Sequence, residues 1–188
     1  MSTGSAVAWN MPNRLNFLTI VPMFHCNGWC YPWTIAMLNG RTICLRNIDV
    51  KKIFELIEKY NVTHFGGAPI ILNMITGAPE SDRKELKQKV HVLTAGAPPP
   101  SIIFKKMKDL GFEVMHVYGL TETYGHVTQC AWNDEWNDFD EDKQNEIKAR
   151  QGVRYPNTEE VTVMDPETMI KVPQDGKTIG EIMIRGNI

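Results

Sequence analysis

From Asn16 to Val117, short apolar runs alternate with stretches of helical periodicity, and this alternation restricts the fold more than any other feature. Asn16 to Met23 (NFLTIVPM), Arg41 to Leu45 (RTICL), Val62 to Phe65, Val90 to Thr94 and Phe112 to Val117 read as strands. Helical stretches lie between them. Trp29 to Leu38 repeats apolar residues at helical spacing. Asp49 is a good N-cap, after which Val50, Ile53, Phe54, Ile57 and Tyr60 share one face. Pro69 suits the first turn of a short helix, and Ser101 to Leu110 is a helix stopped by Gly111. Asp82 to Lys89 is charged and reads as surface. Repeated strand–helix–strand units predict an α/β fold, with a mostly parallel sheet flanked by helices.

Beyond Gly125 the pattern changes. Trp132 to Asp142 (WNDEWNDFDED) is acidic and aromatic, and Phe139 to Ala149 reads as a polar helix. Val161 to Met164 and Ile179 to Arg185 alternate with period two and are joined by turn-rich sequence, which predicts a small antiparallel β element. The expected division is therefore an α/β subdomain over 1–130, then an acidic connector and the start of a β subdomain over 131–188.

Composition removes several function classes. A chain of 188 residues with 43% hydrophobic and 22% charged content can bury a substantial core. A net charge of −2 gives no basic footprint for nucleic acid. No apolar run approaches the roughly 20 residues of a membrane span. MSTGSAVAWNMPN has neither a basic n-region nor a long apolar h-region, so no signal peptide is expected. Cys26 and Cys30 flank three residues beside His25, but no second ligand pair stands at a matching interval for zinc. The four cysteines are expected as buried structural thiols in a reducing, cytoplasmic setting.

The chemistry concentrates at His116-Val117-Tyr118-Gly119-Leu120-Thr121-Glu122-Thr123-Tyr124-Gly125. An aromatic, a glycine, a hydroxyl and a carboxylate crowd the carboxyl end of a strand, where open α/β sheets bind ligands. Gly96-Ala97-Pro98 ends the preceding strand, and sequential strands are usually neighbours, so the two loops are expected to form one crevice. The alternative is a pair of ordinary tight turns. Thr121 and Glu122 read as the start of a short helix. That start either receives a phosphate and a magnesium ion or simply carries a favourable first-turn acid. His25 follows a strand and sits in sequence among Phe24, Trp29, Tyr31 and Trp33. Either it lines an organic pocket or it is a hydrogen-bonded core histidine. No GxGxxG follows a strand, and neither GxxxxGK(S/T) nor GxSxG occurs.

Five segments together resemble the adenylate-forming, AMP-binding superfamily: Pro22 to Trp29, Ala95 to Pro99, His116 to Gly125, Gln151 to Arg154 and Gly180 to Gly186. They are most similar to the fatty-acyl-CoA synthetase and methylmercaptopropionate-CoA ligase branch. The resemblance implies a flavodoxin-like subdomain of that fold. It also implies an AMP-forming acid–thiol ligase in fatty acid metabolism, with ATP giving AMP, magnesium, and CoA as co-substrate. A carboxylate attacks the α-phosphate of ATP, and the CoA thiol then displaces AMP.

By resemblance, Gly96, Ala97, Pro98, His116, Val117, Tyr118, Gly119, Leu120 and Thr121 bind the nucleotide, with Tyr118 stacking on adenine. Thr121 contacts the α-phosphate, and Glu122 holds magnesium. His25, Trp29, Gly119 and Tyr124 line the acyl site, where His25 responds to the arriving thiol. The catalytic set is thus Thr121, Glu122 and His25.

The partners implied are a small carboxylic acid, fatty or short acyl, and the remaining N- and C-terminal parts of a parent chain, with a homodimer left open. The superfamily's Ser/Thr/Gly-rich phosphate loop, ribose-binding aspartate, hinge and catalytic lysine have no match in this sequence, so the chain alone is expected to be inactive. Two other readings stand beside this one. One is a non-catalytic nucleotide-binding domain, which need not keep Thr121 and Glu122 together. The other is an amino-acid-activating adenylation domain, which would carry an acid near His25.

Overall fold

The computed structural model describes residues 1–186. Its elements in chain order are α1 (Ser2–Ala8), β1 (Asn16–Thr19), the one-turn α2 (Cys26–Trp29), α3 (Tyr31–Met37), β2 (Arg41–Cys44), α4 (Val50–Tyr60), β3 (His64–Gly66) and α5 (Pro69–Gly77). They continue with β4 (Val90–Thr94), α6 (Ser101–Asp109), β5 (Phe112–Leu120), β6 (Gly125–Gln129), α7 (Glu141–Lys148), β7 (Val153–Arg154), β8 (Thr158–Met164) and β9 (Glu181–Gly186). The sheet order is β2-β1-β3-β4-β5-β6-β7. The first five strands are parallel, and β6 and β7 add antiparallel pairs. β8 and β9 form a separate antiparallel pair, as the alternation there implies.

The central strands β1, β3 and β4 bury residues on both sides because both faces are covered. On β1, Leu18 points into the layer built by α4, α5 and α6, where Ile53, Phe54, Ile57, Leu72, Ile75 and Met107 are buried. Its neighbour Phe17 points the other way, toward Trp9, Tyr31 and Ile35. Helix ends follow local chemistry. The Asp49 carboxylate accepts from Lys52 N at 3.0 Å, Pro69 begins α5, and Gly111 takes φ +88 just past α6.

Four features differ from the sequence expectation. α1 was not foreseen, because STGSAVA has no amphipathic stripe; Thr34 Oγ1 donates to Ser2 O at 3.3 Å, helping to dock it. β1 stops at Thr19 rather than Met23, ahead of Pro22, which has no N–H for a ladder. The helix expected from Trp29 is divided at Cys30, which is left-handed at φ +66. β6 was missed because GHVTQ is polar and does not alternate, yet all its residues are buried. β6 also extends β5 to Leu120.

The chain runs from β1 outward to β2, then crosses back to build β3, β4 and β5 on the other side. The carboxyl ends of β1 and β3 therefore part at the point where such sheets take ligands.

Candidate functional site

The two glycine loops lie side by side as expected. β4 and β5 pair in parallel, with Thr94 opposite His116, so Gly96-Ala97-Pro98 and Tyr118-Gly119-Leu120 leave the sheet from adjacent strands. Gly96 is exposed at φ +94, and a Cβ built on it meets nothing within 4 Å. Ala97 and Pro98 are exposed beside it.

Thr121 and Glu122 do not begin a helix. They form the tip of a tight turn between β5 and β6, in which Tyr124 N donates to Thr121 O at 3.0 Å. The return strand forces this outcome: Leu120 pairs with Gly125, so the chain reverses within four residues. No helical amides are available there for an anion. What the turn supplies is a hydroxyl and a carboxylate, both exposed and both without a hydrogen bond or ion pair among the described residues.

Thr123 builds this turn, and sequence reasoning had assigned it nothing. Its hydroxyl accepts from Leu120 N at 2.9 Å and has Leu120 O and Gly125 O at 3.0 and 2.9 Å as targets for its single proton. A threonine between Gly119 and Gly125 was the available signal, since threonine hydroxyls bond to the backbone of turns. Gly119 completes the closure, since a Cβ there would lie 1.9 Å from the Gly125 carbonyl oxygen.

The segment around His25 packs against this hairpin. Asn27 Nδ2 donates to the Tyr124 hydroxyl at 2.6 Å, and Cys30 Sγ donates to Tyr124 O at 3.1 Å. The Trp29 indole stands edge-on to His126 at 5.6 Å and lies over Gly66, where a Cβ would be 3.2 Å from the ring. Trp29 thus lies between the end of β3 and β6. From Cys26 to Cys30 every residue has positive φ, between +41 and +66. Left-handed non-glycine residues cost on the order of 1–3 kcal/mol each and gather at functional sites. The bonds to Tyr124 help hold that strain.

Two expectations are corrected. His25 is not walled in by aromatics. It is exposed with its ring tilted against Phe24, itself 80% exposed, while Tyr31 turns away into the core at 1%. Short spacing along the chain did not translate into a shared wall, because the left-handed turn splays these side chains apart. The His116 side chain is also interior: its Nδ1 is 2.7 Å from Ala149 O. Burial lowers its pKa against the opposing effect of that bond. Val117 is likewise buried in the core, whereas Tyr118 and Trp29 are half-buried and Leu120 and Tyr124 exposed. Among the described residues no group of three His, Cys, Asp or Glu side chains could hold a metal ion. All four cysteines are free, and only Cys30 and Cys130 are buried.

Two buried histidines, His126 and His64, have lowered pKa values. Burial pulls His126 down to about 4, and burial followed by the neighbouring His91 pulls His64 down to about 3. The unfolded chain protonates these rings near pH 6.5, the folded chain only well below. Their contribution to stability is therefore intact above about pH 6.5 and is lost as pH falls toward 4 and 3. His126 alone is expected to remove about 2 kcal/mol by about pH 5. Urea midpoints across this range check it, and His126→Phe is expected to give a shallower pH dependence.

The fold is thus a mostly parallel α/β sheet with a tight hairpin at the carboxyl end of β5. Residues 1–188 match the model of the family described as AMP-binding enzyme, and the chain belongs to that family. Among curated proteins it is 49% identical over 190 residues to the peroxisomal acetate/butyrate–CoA ligase AAE7 of Arabidopsis thaliana, covering 100% of this chain and 33% of that protein. It is 49% identical over 189 residues to the acetate–CoA ligase CCL3 of Humulus lupulus, with the same coverage. The chain thus spans about a third of the length of the curated relatives it matches.

Among solved structures, the N-terminal domain of FACL13 from Mycobacterium tuberculosis superposes with a TM-score of 0.77 at 24% identity, over 98% of this chain and 44% of that one. The O-succinylbenzoate CoA synthetase MenE of Bacillus subtilis, in complex with ATP and magnesium, gives 0.75 at 18% identity, over 98% and 35%. These two likenesses establish the fold.

Proposed function

We propose that this chain supplies one wall of an ATP-dependent, AMP-forming acyl-CoA synthetase. The observation that carries the proposal is a free hydroxyl and a free carboxylate, Thr121 and Glu122, at the tip of a strand-end turn, in a chain 49% identical along its whole length to CoA ligases. In this reading the Gly96-Ala97-Pro98 loop and the Tyr118-Gly119-Leu120 backbone flank adenine, with the half-buried Tyr118 ring as the stacking surface. The open space at Gly96 fits such a body, since no side chain would have to move. Thr121 donates to a phosphoryl oxygen of ATP, where charge must be met by oriented donors. Glu122 fits magnesium, which takes a carboxylate or two and fills its other positions with water and substrate phosphates. When bound, magnesium supplies charge neutralisation at the phosphates.

His25, Trp29, Gly119 and Tyr124 face the acyl group and the CoA thiol. The left-handed turn at Cys26 to Cys30 holds Trp29 between the end of β3 and β6. The sequence from Phe24 to Tyr31 carries no acid to pair an amine, which favours an uncharged acyl tail over an amino acid. The relatives' names specify acetate, butyrate and 2-methylpropanoate, so we assign a short-chain acid. The functional division at 1–130 and 131–188 belongs to the same proposal. So does a reducing, cytoplasmic setting; the peroxisomal names of two relatives give the alternative that imaging a tagged chain decides. No helix among the described residues is long and apolar enough to cross a membrane.

The test is acyl-dependent pyrophosphate release. The 188-residue chain alone is expected to give none. A hybrid in which it replaces the matching third of CCL3 is expected to turn over with short acids. Turnover by the chain alone at ligase rates, or a folded hybrid that is dead with every acid, overturns the reading. The second result favours a non-catalytic nucleotide-binding domain.

A further inference from the structure

The Trp29 indole is flanked by Gly66, the last residue of β3, and by His126 on β6. Both flanking residues are buried, whereas Trp29 is half-buried and keeps part of its surface open. We propose that Gly66 and His126 are positioning residues that clamp the Trp29 indole and so set the length of acid the acyl site accepts. The inference rests on the acyl-CoA synthetase reading, in which Trp29 faces the acyl group.

Gly66 is the first jaw. A Cβ there would lie 3.2 Å from both Cε3 and Cζ3 of Trp29 and 3.3 Å from Val21 Cγ2. Contacts that short force a neighbour to give way, so even a methyl group displaces the ring. Gly66 does not have a positive φ, so its role is the missing side chain, not backbone freedom. Glycine in a strand often marks such a close approach. His126 is the second jaw. Its ring centroid is 5.6 Å from that of Trp29, at an interplanar angle of 79°. Tyr31 and Tyr155 pack around it, with ring centroids 6.2 and 5.9 Å away, and both are at most 1% exposed. The His126 backbone is fixed as well, because it pairs with Gly119 in the β5–β6 ladder. An imidazole packed this way has little room to yield. An indole pushed from Gly66 therefore moves toward its open side.

The backbone supplies a further observation. Trp29 is left-handed at φ +56, in a segment tied to Tyr124 by Asn27 and Cys30. A strained non-glycine residue persists only where its surroundings over-determine it, and such residues cluster at active sites and ligand clamps. An indole with a fixed direction and two stiff flanks is a hard wall. Against a wall of this kind, one methylene more or less changes discrimination on the order of 10–200-fold.

The experiment measures pyrophosphate release by the CCL3 hybrid with acetate, butyrate, hexanoate and octanoate. His126→Ala removes the second jaw and lets the indole retreat, so hexanoate is expected to gain about tenfold or more in kcat/KM relative to butyrate. Gly66→Ala pushes the indole outward, so butyrate is expected to lose about tenfold or more relative to acetate, mostly in KM. His126→Phe restores a ring and is expected to keep the parent profile. The KM for ATP is expected to stay at the parent value in all three. Opposite shifts in acid length at constant KM for ATP are a result that general loosening of the fold does not give. Gly66→Ala asks the ring to give by only a few tenths of an ångström, so it carries the test where His126→Ala fails to fold. Folded variants that keep the parent profile, or that shift it in one direction, overturn the clamp and leave the synthetase reading standing. A parent hybrid dead with every acid overturns that reading and the clamp with it.

Discussion

Replacing Gly119 with alanine is expected to cost about 3 kcal/mol or more and to abolish the strand-end site with it. A Cβ at this position would lie 1.9 Å from Gly125 O, 2.6 Å from Gly125 C and 2.9 Å from His126 Cα. All three are backbone atoms, so no rotamer change relieves the clash. The register already shifts between Tyr118 and Gly119, and Thr123 spends its hydrogen bonds closing the turn at its present width. The hairpin must therefore open, and β6 must leave β5. That would expose Val127 and His126, both at most 2% exposed, and release Tyr124 from Asn27 and Cys30. The control is Gly77→Ala at the end of α5, where a Cβ meets nothing within 4 Å. It is expected to be neutral or to stabilise by roughly 0.5–1 kcal/mol. Equal urea midpoints for the two variants would contradict this account.

The layer architecture was legible because its causes are local. Apolar strands such as Val90 to Thr94 and the capped amphipathic face after Asp49 carry their own signals, and helix–sheet packing follows from them. The adjacency of the two glycine loops followed from strand order. What stayed hidden depends on contacts distant in sequence. β6 exists because β5 offers it an edge, and its polar residues gave no periodic sign. The same return strand turned an expected helix start at Thr121 into a hairpin tip. The grouping of His25 with nearby aromatics failed because backbone handedness, which composition does not reveal, sends Tyr31 inward and leaves His25 in solvent. Thr123 escaped notice because its work is on the backbone of its own turn.

The hairpin tip carries the second large effect. Thr121 and Glu122 are exposed and make no side-chain hydrogen bond or ion pair among the described residues, so removing their functional groups should leave the fold unchanged. Thr121→Ala and Glu122→Gln are accordingly expected to keep the urea midpoint within about 0.5 kcal/mol of the parent value. Their effect falls on the ligand instead. In the proposed role Glu122 meets magnesium, and Gln keeps the shape while removing the charge. ATP affinity measured calorimetrically with magnesium is expected to fall about tenfold or more for Glu122→Gln, equivalent to about 1.4 kcal/mol per factor of ten. With magnesium chelated, the same variant is expected to match the parent, because the lost charge then has nothing to hold. Thr121→Ala behaves differently. Its hydroxyl is proposed to meet phosphate directly, so its loss is expected with and without magnesium. In the CCL3 hybrid both variants are expected to lower kcat/KM by about a hundredfold, the scale of one transition-state donor. Identical magnesium dependence for the two variants would remove the assignment of separate roles. Unchanged affinity for both would make the tip a structural turn and nothing more.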